Sequence, residues 1–422
     1  MKLDLRVSAG AEKIVADLKS AGFETYIVGG AVRDLLLGRE PKDFDISTSA
    51  TPEEIRQVFG RRQARIIGKR FRLVHVFMNG EIYEVSTFRS APEKETGSAA
   101  ASANNFADYD ERPENMILSD NFYGTATDDV WRRDFTVNAL FYDPLTKEVL
   151  DLTGMGLEDV SKRVVRAIGE PALRFEEDPV RMLRALKLVA QFDFSLDAGT
   201  ENALFASLHL FHHASVSRLT LELEKILKSS YCDRHLEVFH DYGLLPCFLP
   251  ELSDRWGTDS QKKMCDLLFE RNCRIDAGLY RNSVSLALAA AAFPYVGEVL
   301  ALKPGEVWQD GRAPEVKEAI RSVVDNLFAP MAMMVRVREA AYRILQMQSA
   351  LESCDRSRRG ELMQQRAYAH ARELMLIRHA AEGEDISAIA SVWPRGVERS
   401  GKVEFFPRKK PKSPVKKRGR RP

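Results

Sequence analysis

The sequence predicts an α+β protein: a mixed-sheet N-terminal part, an all-α remainder and a disordered basic C-terminal tail. Three observations carry this reading. Strand-like and helical patterns alternate through the first 150 residues, helical spacing dominates after Asp151, and the chain ends in PRKKPKSPVKKRGRRP. A chain of 422 residues is long enough for a large core and two or three structural units. The expected units are 1–150, a neck over 151–230, a helical body over 231–400 and the tail over 401–422.

The elements follow in order. Tyr26-Ile27-Val28 reads as a short strand ending at Gly29-Gly30, with a helix from about Val32 to Leu37. Phe44 and Ile46 flank Asp45 in a second strand. Thr51-Pro52-Glu53-Glu54 is a helix start, with a Thr cap, Pro in the first turn and Glu three residues on. Arg72–Met78 and Glu81–Phe88 are strand-like runs joined by Asn79-Gly80, a strong short hairpin signal. Residues 90–121 turn polar without sustained apolar period, which predicts a mobile loop or lid. Further on, Val316, Ile320, Val323, Val324 and Leu327 recur on one helical face. Pro and dense positive charge predict disorder for the last residues.

Hydrophobic content of 45% and charged content of 29% describe an ordinary globular protein. The net charge is +1, yet nine Lys or Arg and no acid lie in 408–422, leaving the preceding 407 residues at −8. An acidic body with a basic tail points to a polyanionic partner held partly by the tail. Five scattered cysteines without a C-x-x-C pair argue against a disulfide framework or zinc site and fit a reducing cytoplasm. The N-terminus has no apolar core of secretory type. The most apolar stretch, Ser283–Gly297, contains Pro294 and is too short to span a bilayer, so it reads as a buried helix and no membrane role follows.

The chemistry centres on Lys42-Asp43-Phe44-Asp45-Ile46. In a strand, residues two apart project from one face, so Asp43 and Asp45 would stand side by side. Two bare carboxylates that close repel unless a cation shares them. Oxygen-only ligands favour Mg²⁺, and such a pair can hold two ions about 3.5–4 Å apart. One ion would activate an attacking hydroxyl and the other would steady leaving pyrophosphate. Asp-x-Asp alone is also a common solvated strand end, so the neighbourhood decides. Upstream, Gly29-Gly30-Ala31-Val32-Arg33-Asp34 passes from strand to helix, where glycines admit an anion close to backbone N–H groups. Glu84, in the strand after the hairpin, is a candidate third acid.

The ordered motifs GGAVRDLLLG, KDFDI, EVSTFR, RRDFTVNAL and EDPVRMLRA closely resemble the polymerase β-like superfamily over roughly residues 20–230. Within it the match is to bacterial poly(A) polymerases and the related CCA-adding tRNA nucleotidyltransferases. The resemblance implies a nucleotidyltransferase head in which Gly29, Gly30 and Arg33 hold the triphosphate and Asp43 and Asp45 bind metal. Arg132 and Arg133 would support the phosphates, and Asp134 would face the ribose or complete the acidic site. Asp178 and Arg181 would read the incoming base, with Arg184 continuing the same face. Three residues apart on a helix, Asp178 and Arg181 would share that face. The carboxylate would then accept from the adenine 6-amino group while the guanidinium donates to N1. Two Mg²⁺ ions and ATP as substrate complete the implied site.

The segment Ile67-Gly68-Lys69-Arg70-Phe71-Arg72-Leu73-Val74-His75-Val76 resembles the poly(A) polymerase version of the head, as does the basic tail. An enzyme that tails many RNAs gains from sequence-independent phosphate attraction. Lys69, Arg70 and Arg72 would supply it beside the sheet, with Arg408, Lys409, Lys410, Lys416, Lys417 and Arg418 in the tail. The expectation is a monomeric cytoplasmic enzyme that adds AMP to RNA 3′ ends and so marks RNA for decay. The tail could also dock RNA-decay proteins. The rivals are CCA addition to tRNA and, from another class, a catalytically silent RNA-binding protein. His240-Asp241 lacks the further ligands of a phosphohydrolase, and His212-His213 reads as a loop pair.

Overall fold

A computed structural model describes residues 1–68, 72–90, 123–303, 306–353 and 359–395, and the backbone alone of 396–399 and 402–405. The expected loop over 90–121, Lys69, Arg70 and the tail cations from Arg408 to Arg418 fall on other residues, apart from Ser90 at the loop's start, and lie outside this description. The chain divides into two units, Met1–Leu219 with Arg234–Pro250, and Thr220–Asp233 with residues from Glu251 onward.

The first unit is built on a mixed seven-stranded sheet. Its strands are β1 (Thr25–Val28), β2 (Asp45–Thr48), β3 (Ala64–Ile67), β4 (Leu73–Met78), β5 (Glu81–Thr87), β6 (Leu140–Asp143) and β7 (Glu148–Asp151). Their order is β3-β4-β5-β2-β1-β6-β7. All neighbours are antiparallel except β2 and β5, which run parallel with Ile46 opposite Val85.

Local chemistry explains the early elements. Between β4 and β5, Asn79 and Gly80 both take positive φ, 53° and 85°, as a tight hairpin requires. Helix α1 is Ala9–Ser20, α2 is Gly30–Leu36 and α3 is Pro52–Gln63. At the start of α3, the Thr51 side chain accepts from the Glu54 amide while the Glu54 carboxylate accepts from Thr51, the expected capping box.

On the face that carries the site, Val28, Phe88, Val130 and Phe141 form a buried cluster with Tyr26 against it. The Phe88 and Phe141 rings stack with centroids 6.1 Å apart. Helices α4 (Ala126–Trp131), α5 (Gly156–Lys162), α6 (Pro171–Glu177), α7 (Val180–Phe192), α8 (Ala198–Ser207), α9 (Val216–Lys228) and α10 (Cys232–Asp241) follow. The residues expected to form the head fall in this unit, whereas those expected for the neck divide, 151–219 here and 220–230 in the second unit.

Among its described residues the second unit is helical apart from a small hairpin, Gly396–Arg399 with Lys402–Phe405. Its apolar helix, Val284–Val299, carries Pro294 and is buried along most of its length. The face predicted for residues 316–327 is buried as expected: Val316, Ile320, Val323, Val324 and Leu327 all lie in the core. Among the described residues no helix is long and apolar enough to cross a membrane.

Candidate active site

The site forms where β1, β2 and β5 lie side by side. Ser47 Oγ lies 3.1 Å from Ser86 Oγ, so these side chains point to one face. Two residues back on each strand, Asp45 and Glu84 share that face, because side chains alternate along a strand. Asp43 and Asp45 are both exposed. Partial desolvation, then the charges of Asp43 and Glu84, raise the Asp45 pKa to about 6 against an opposing pull from Arg133. Asp43, Glu84 and Arg133 thus all bear on the charge of Asp45. Asp43 itself precedes the first residue of β2.

Arg133 enters from the loop after α4. Its Nη2 is 3.4 Å from Ser47 Oγ, and its guanidinium sits 5.2 Å from the centre of the Phe141 ring. Arg133 Nη1 donates to the Asn138 carbonyl at 3.3 Å. Gly29, at φ +73°, must lack a side chain here: a Cβ would stand 3.2 Å from Arg133 Nη1.

Arg33, by contrast, is buried and committed. It donates to Asp34 Oδ1 through Nε (2.9 Å) and Nη2 (2.6 Å), and to Asn138 Oδ1 through Nη1 (2.5 Å). Its guanidinium lies 4.3 Å from the centre of the Phe192 ring, which Arg39 also approaches at 4.7 Å. A Cβ on Gly30 would press against the Arg33 guanidinium at 3.3 Å. Arg33 thus ties α2 to Asn138 and α7, and Arg132 and Arg133 are the more accessible guanidiniums.

Asp134 accepts from the Phe135 amide at 2.9 Å, from Asn138 Nδ2 at 3.3 Å and from Arg184 Nη1 at 3.5 Å. It is not among the charges that act most on Asp45. Its carboxylate thus sits in a network with Asn138 and Arg184. Glu84 pairs with His75 at 3.6 Å. Among the described residues no three His, Cys, Asp or Glu are grouped to hold an ion.

The shared helix face expected for Asp178 and Arg181 is also corrected. Asp178 is extended, with φ −151° and ψ 93°, in the break between α6 and α7. The following Pro179 explains this, since a residue before proline is steered away from helical geometry. Asp178 Oδ2 accepts from Arg184 Nη2 at 2.6 Å and Arg218 Nη2 at 2.9 Å. Burial alone would raise its pKa, but Arg184, Arg218 and Arg181 outweigh it and hold the carboxyl below its ordinary range. Arg181 Nη1 donates to Glu177 Oε2 at 2.8 Å and to the Arg174 carbonyl at 2.9 Å. Arg174 Nη2 in turn donates to the carbonyls of Arg132 and Arg133 at 2.7 and 2.6 Å. The base-reading candidates and the phosphate candidates are therefore linked by hydrogen bonds.

Three residues went unnoticed in the sequence: Asn138, Phe192 and Asp129. Asp129 is completely buried and accepts from Arg132 and Arg133. Its spacing, three and four residues before that pair in a helical stretch, was the available signal. Arg72 pairs with Glu53 on α3. His240 and Asp241 are an exposed pair 3.5 Å apart, and His212-His213 closes a short 3₁₀ helix rather than a loop.

Residues 25–166 match the family model described as the poly A polymerase head domain. Residues 193–255 match the probable RNA and SrmB-binding site of polymerase A, and 310–422 match its arginine-rich C-terminus. Poly(A) polymerase I of Escherichia coli is 30% identical over 434 residues, covering 98% of this chain and 90% of that protein. The chain belongs to the poly(A) polymerase and CCA-adding tRNA nucleotidyltransferase family. Poly(A) polymerase I of Haemophilus influenzae is 32% identical, with coverages of 92% and 84%. A CCA-adding enzyme of Geobacillus is 40% identical, but over 57% of this chain and 54% of that protein. Among solved structures, the Bacillus stearothermophilus CCA-adding enzyme in complex with CTP superposes with a TM-score of 0.59 at 25% identity, covering 90% of this chain and 80% of that one. The sheet-and-helix architecture expected from the sequence is that of this nucleotidyltransferase family.

Proposed function

We propose that the chain is a poly(A) polymerase that adds AMP from ATP to RNA 3′ ends without a template, in the cytoplasm. The observation that carries this choice over CCA addition is coverage. Similarity to poly(A) polymerase I runs through nearly the whole chain, whereas the higher identity to a CCA-adding enzyme is confined to 57% of it.

In this reading the RNA 3′-hydroxyl oxygen attacks the α-phosphorus of ATP. The bond to the β-phosphate oxygen breaks, pyrophosphate leaves and the hydroxyl proton is lost to solvent. The acidic corner fits divalent cations, because Asp43 and Glu84 make the Asp45 anion costly and a cation would remove that cost. Asp43 and Asp45 would be the protein ligands, since Mg²⁺ commonly takes one or two carboxylates and fills its shell with phosphate oxygens and water. Bound there, Mg²⁺ would offset charge on the phosphates and ease ionisation of the hydroxyl.

The protein's own task is position and charge. Arg132 and Arg133 would support the triphosphate, Arg133 beside the acids through Ser47. Gly29 keeps that approach open. Asp178, the Arg181 region and Arg184 address the base. Lys69, Arg70, Arg72 and the tail cations would draw the RNA backbone.

The test is incorporation from ATP or CTP by purified protein on an unstructured RNA and on a tRNA lacking its 3′ end. An AMP ladder on both RNAs supports the proposal. Efficient CTP use that stops after a short addition would establish the CCA-adding alternative. No pyrophosphate release with either nucleotide would leave a silent RNA-binding protein.

A further inference from the structure

We propose that Asp129 is a positioning residue for the nucleotide triphosphate, acting through the guanidiniums of Arg132 and Arg133. The inference rests on the nucleotidyl-transfer reading above. Asp129 has no exposed surface, lies on α4 and spends both carboxylate oxygens on the site. Oδ1 accepts from Arg132 Nε at 3.0 Å and from the Arg89 amide at 3.2 Å. Oδ2 accepts from Arg133 Nε at 3.1 Å and Nη2 at 2.8 Å.

Each oxygen thus grips one guanidinium by its Nε side, which fixes the plane of the group. With side chains 25% and 18% exposed, Arg132 and Arg133 keep solvent-facing surface on which a polyanion can be met, while the buried carboxylate fixes them from behind. Arg133 is also braced by the Asn138 carbonyl and the Phe141 ring, and its charge reaches Asp45. Burial would raise the Asp129 pKa, but Arg133 and Arg132 hold it below the ordinary range, so the anchor stays ionised. Donors held in place before substrate arrives avoid reorganisation when the phosphate charge shifts. Misplacing such groups by an ångström costs on the order of 10²-fold in rate.

The test is Mg·ATP binding by titration calorimetry, with Asp129→Asn placed both in the wild type and in an Arg132→Ala/Arg133→Ala background. In the wild type the substitution is expected to raise Kd by roughly tenfold or more. In the double-alanine background it should change Kd no further, because its targets are gone, while raising Tm by removing a buried carboxylate that has lost both guanidiniums and keeps the Arg89 amide. Asp129→Glu, which keeps the charge, should recover part of the lost affinity. Glu373→Gln, which breaks a buried pair in the other unit, measures how far destabilisation alone moves Kd. Unchanged affinity in Asp129→Asn, or a further loss in the double-alanine background, overturns the assignment while leaving nucleotidyl transfer standing. A wild-type chain that binds neither ATP nor CTP overturns both.

Discussion

Ser47 and Ser86 share a hydrogen bond between parallel strands, Oγ to Oγ at 3.1 Å, on the face where the acids gather. The same register sets Asp45 beside Glu84, and Asp43 adds a further charge. A folded protein that crowds carboxylates at an exposed strand end accepts a stability cost in the absence of metal. Asp45→Asn is therefore expected to lower AMP incorporation by roughly 10²-fold or more while raising Tm in chelator by a few degrees. Asp43→Asn should lose activity similarly. Incorporation at the wild-type rate by either variant would remove the pair from the chemistry.

The pH dependence follows from the same group. Asp45 is raised from 3.8 to about 6 by partial desolvation and by the charges of Asp43 and Glu84. Because the folded pKa lies above the unfolded one, this group's penalty on the metal-free protein is fully present above pH 6. The penalty is relieved as pH falls from 6 towards 3.8. Metal binding moves the other way, since a bound proton competes with Mg²⁺. Apparent Mg²⁺ affinity should drop by about tenfold per pH unit below 6 and level off above it. The Mg²⁺ dependence of incorporation between about pH 5 and 8 reads this directly, and a flat profile would contradict it.

In the proposed reading Asp178 addresses the base, and Arg184, Arg218 and Arg181 keep it ionised for that task. Hydrogen bonds to charged groups contribute about 1.5–3 kcal/mol, or roughly ten- to a hundredfold in binding. Asp178→Ala should raise KM for ATP by about that factor and narrow the preference for ATP over CTP. Arg218→Ala should do less, because Arg184 still holds the carboxylate at 2.6 Å. Steady-state competition between the two nucleotides measures both effects; an unchanged ratio in Asp178→Ala would remove it from base selection.

What the sequence revealed was what short-range rules govern. Asn79-Gly80, Thr51 with Glu54, and the apolar face from Val316 to Leu327 each depend on residues a few positions apart. The acid pair was legible as a motif, but Asp43 lies just ahead of β2, so strand alternation alone does not set the two carboxylates side by side. Asn138 was not legible, since its partners Arg33 and Arg133 reach it from different elements, and no periodic pattern marks such a hub. Phe192 was hidden in the same way, reading as one more apolar residue at the end of α7. Asp178 departs from its expected place for a different reason: helix periodicity does not continue through Pro179, which marks the break between α6 and α7.

The second unit offers a contrast in which a buried charge has no expected part in nucleotide binding. Arg274 Nε donates to Glu373 Oε1 at 2.6 Å, with side chains only 7% and 3% exposed. Removing one partner of a buried pair strands the other and typically costs about 3–5 kcal/mol. Glu373→Gln should therefore lower stability towards urea markedly while leaving KM for ATP unchanged at temperatures where it stays folded. A raised KM under those conditions would show that this pair influences the nucleotide site.

Deleting residues 408–422 removes nine Lys or Arg and no acid. Each cation that touches a phosphate of a single strand contributes about −0.7 to the slope of log K against log salt concentration. If most of the tail contacts RNA, the truncated chain should bind a single-stranded oligonucleotide more weakly, with a slope flatter by several units. The loss should be similar for different sequences, because phosphate contacts carry no base information. Fluorescence anisotropy from about 50 to 200 mM salt separates the possibilities. A full-length slope in the truncated chain would assign the tail's charge to another partner, such as an acidic surface on a protein of RNA decay.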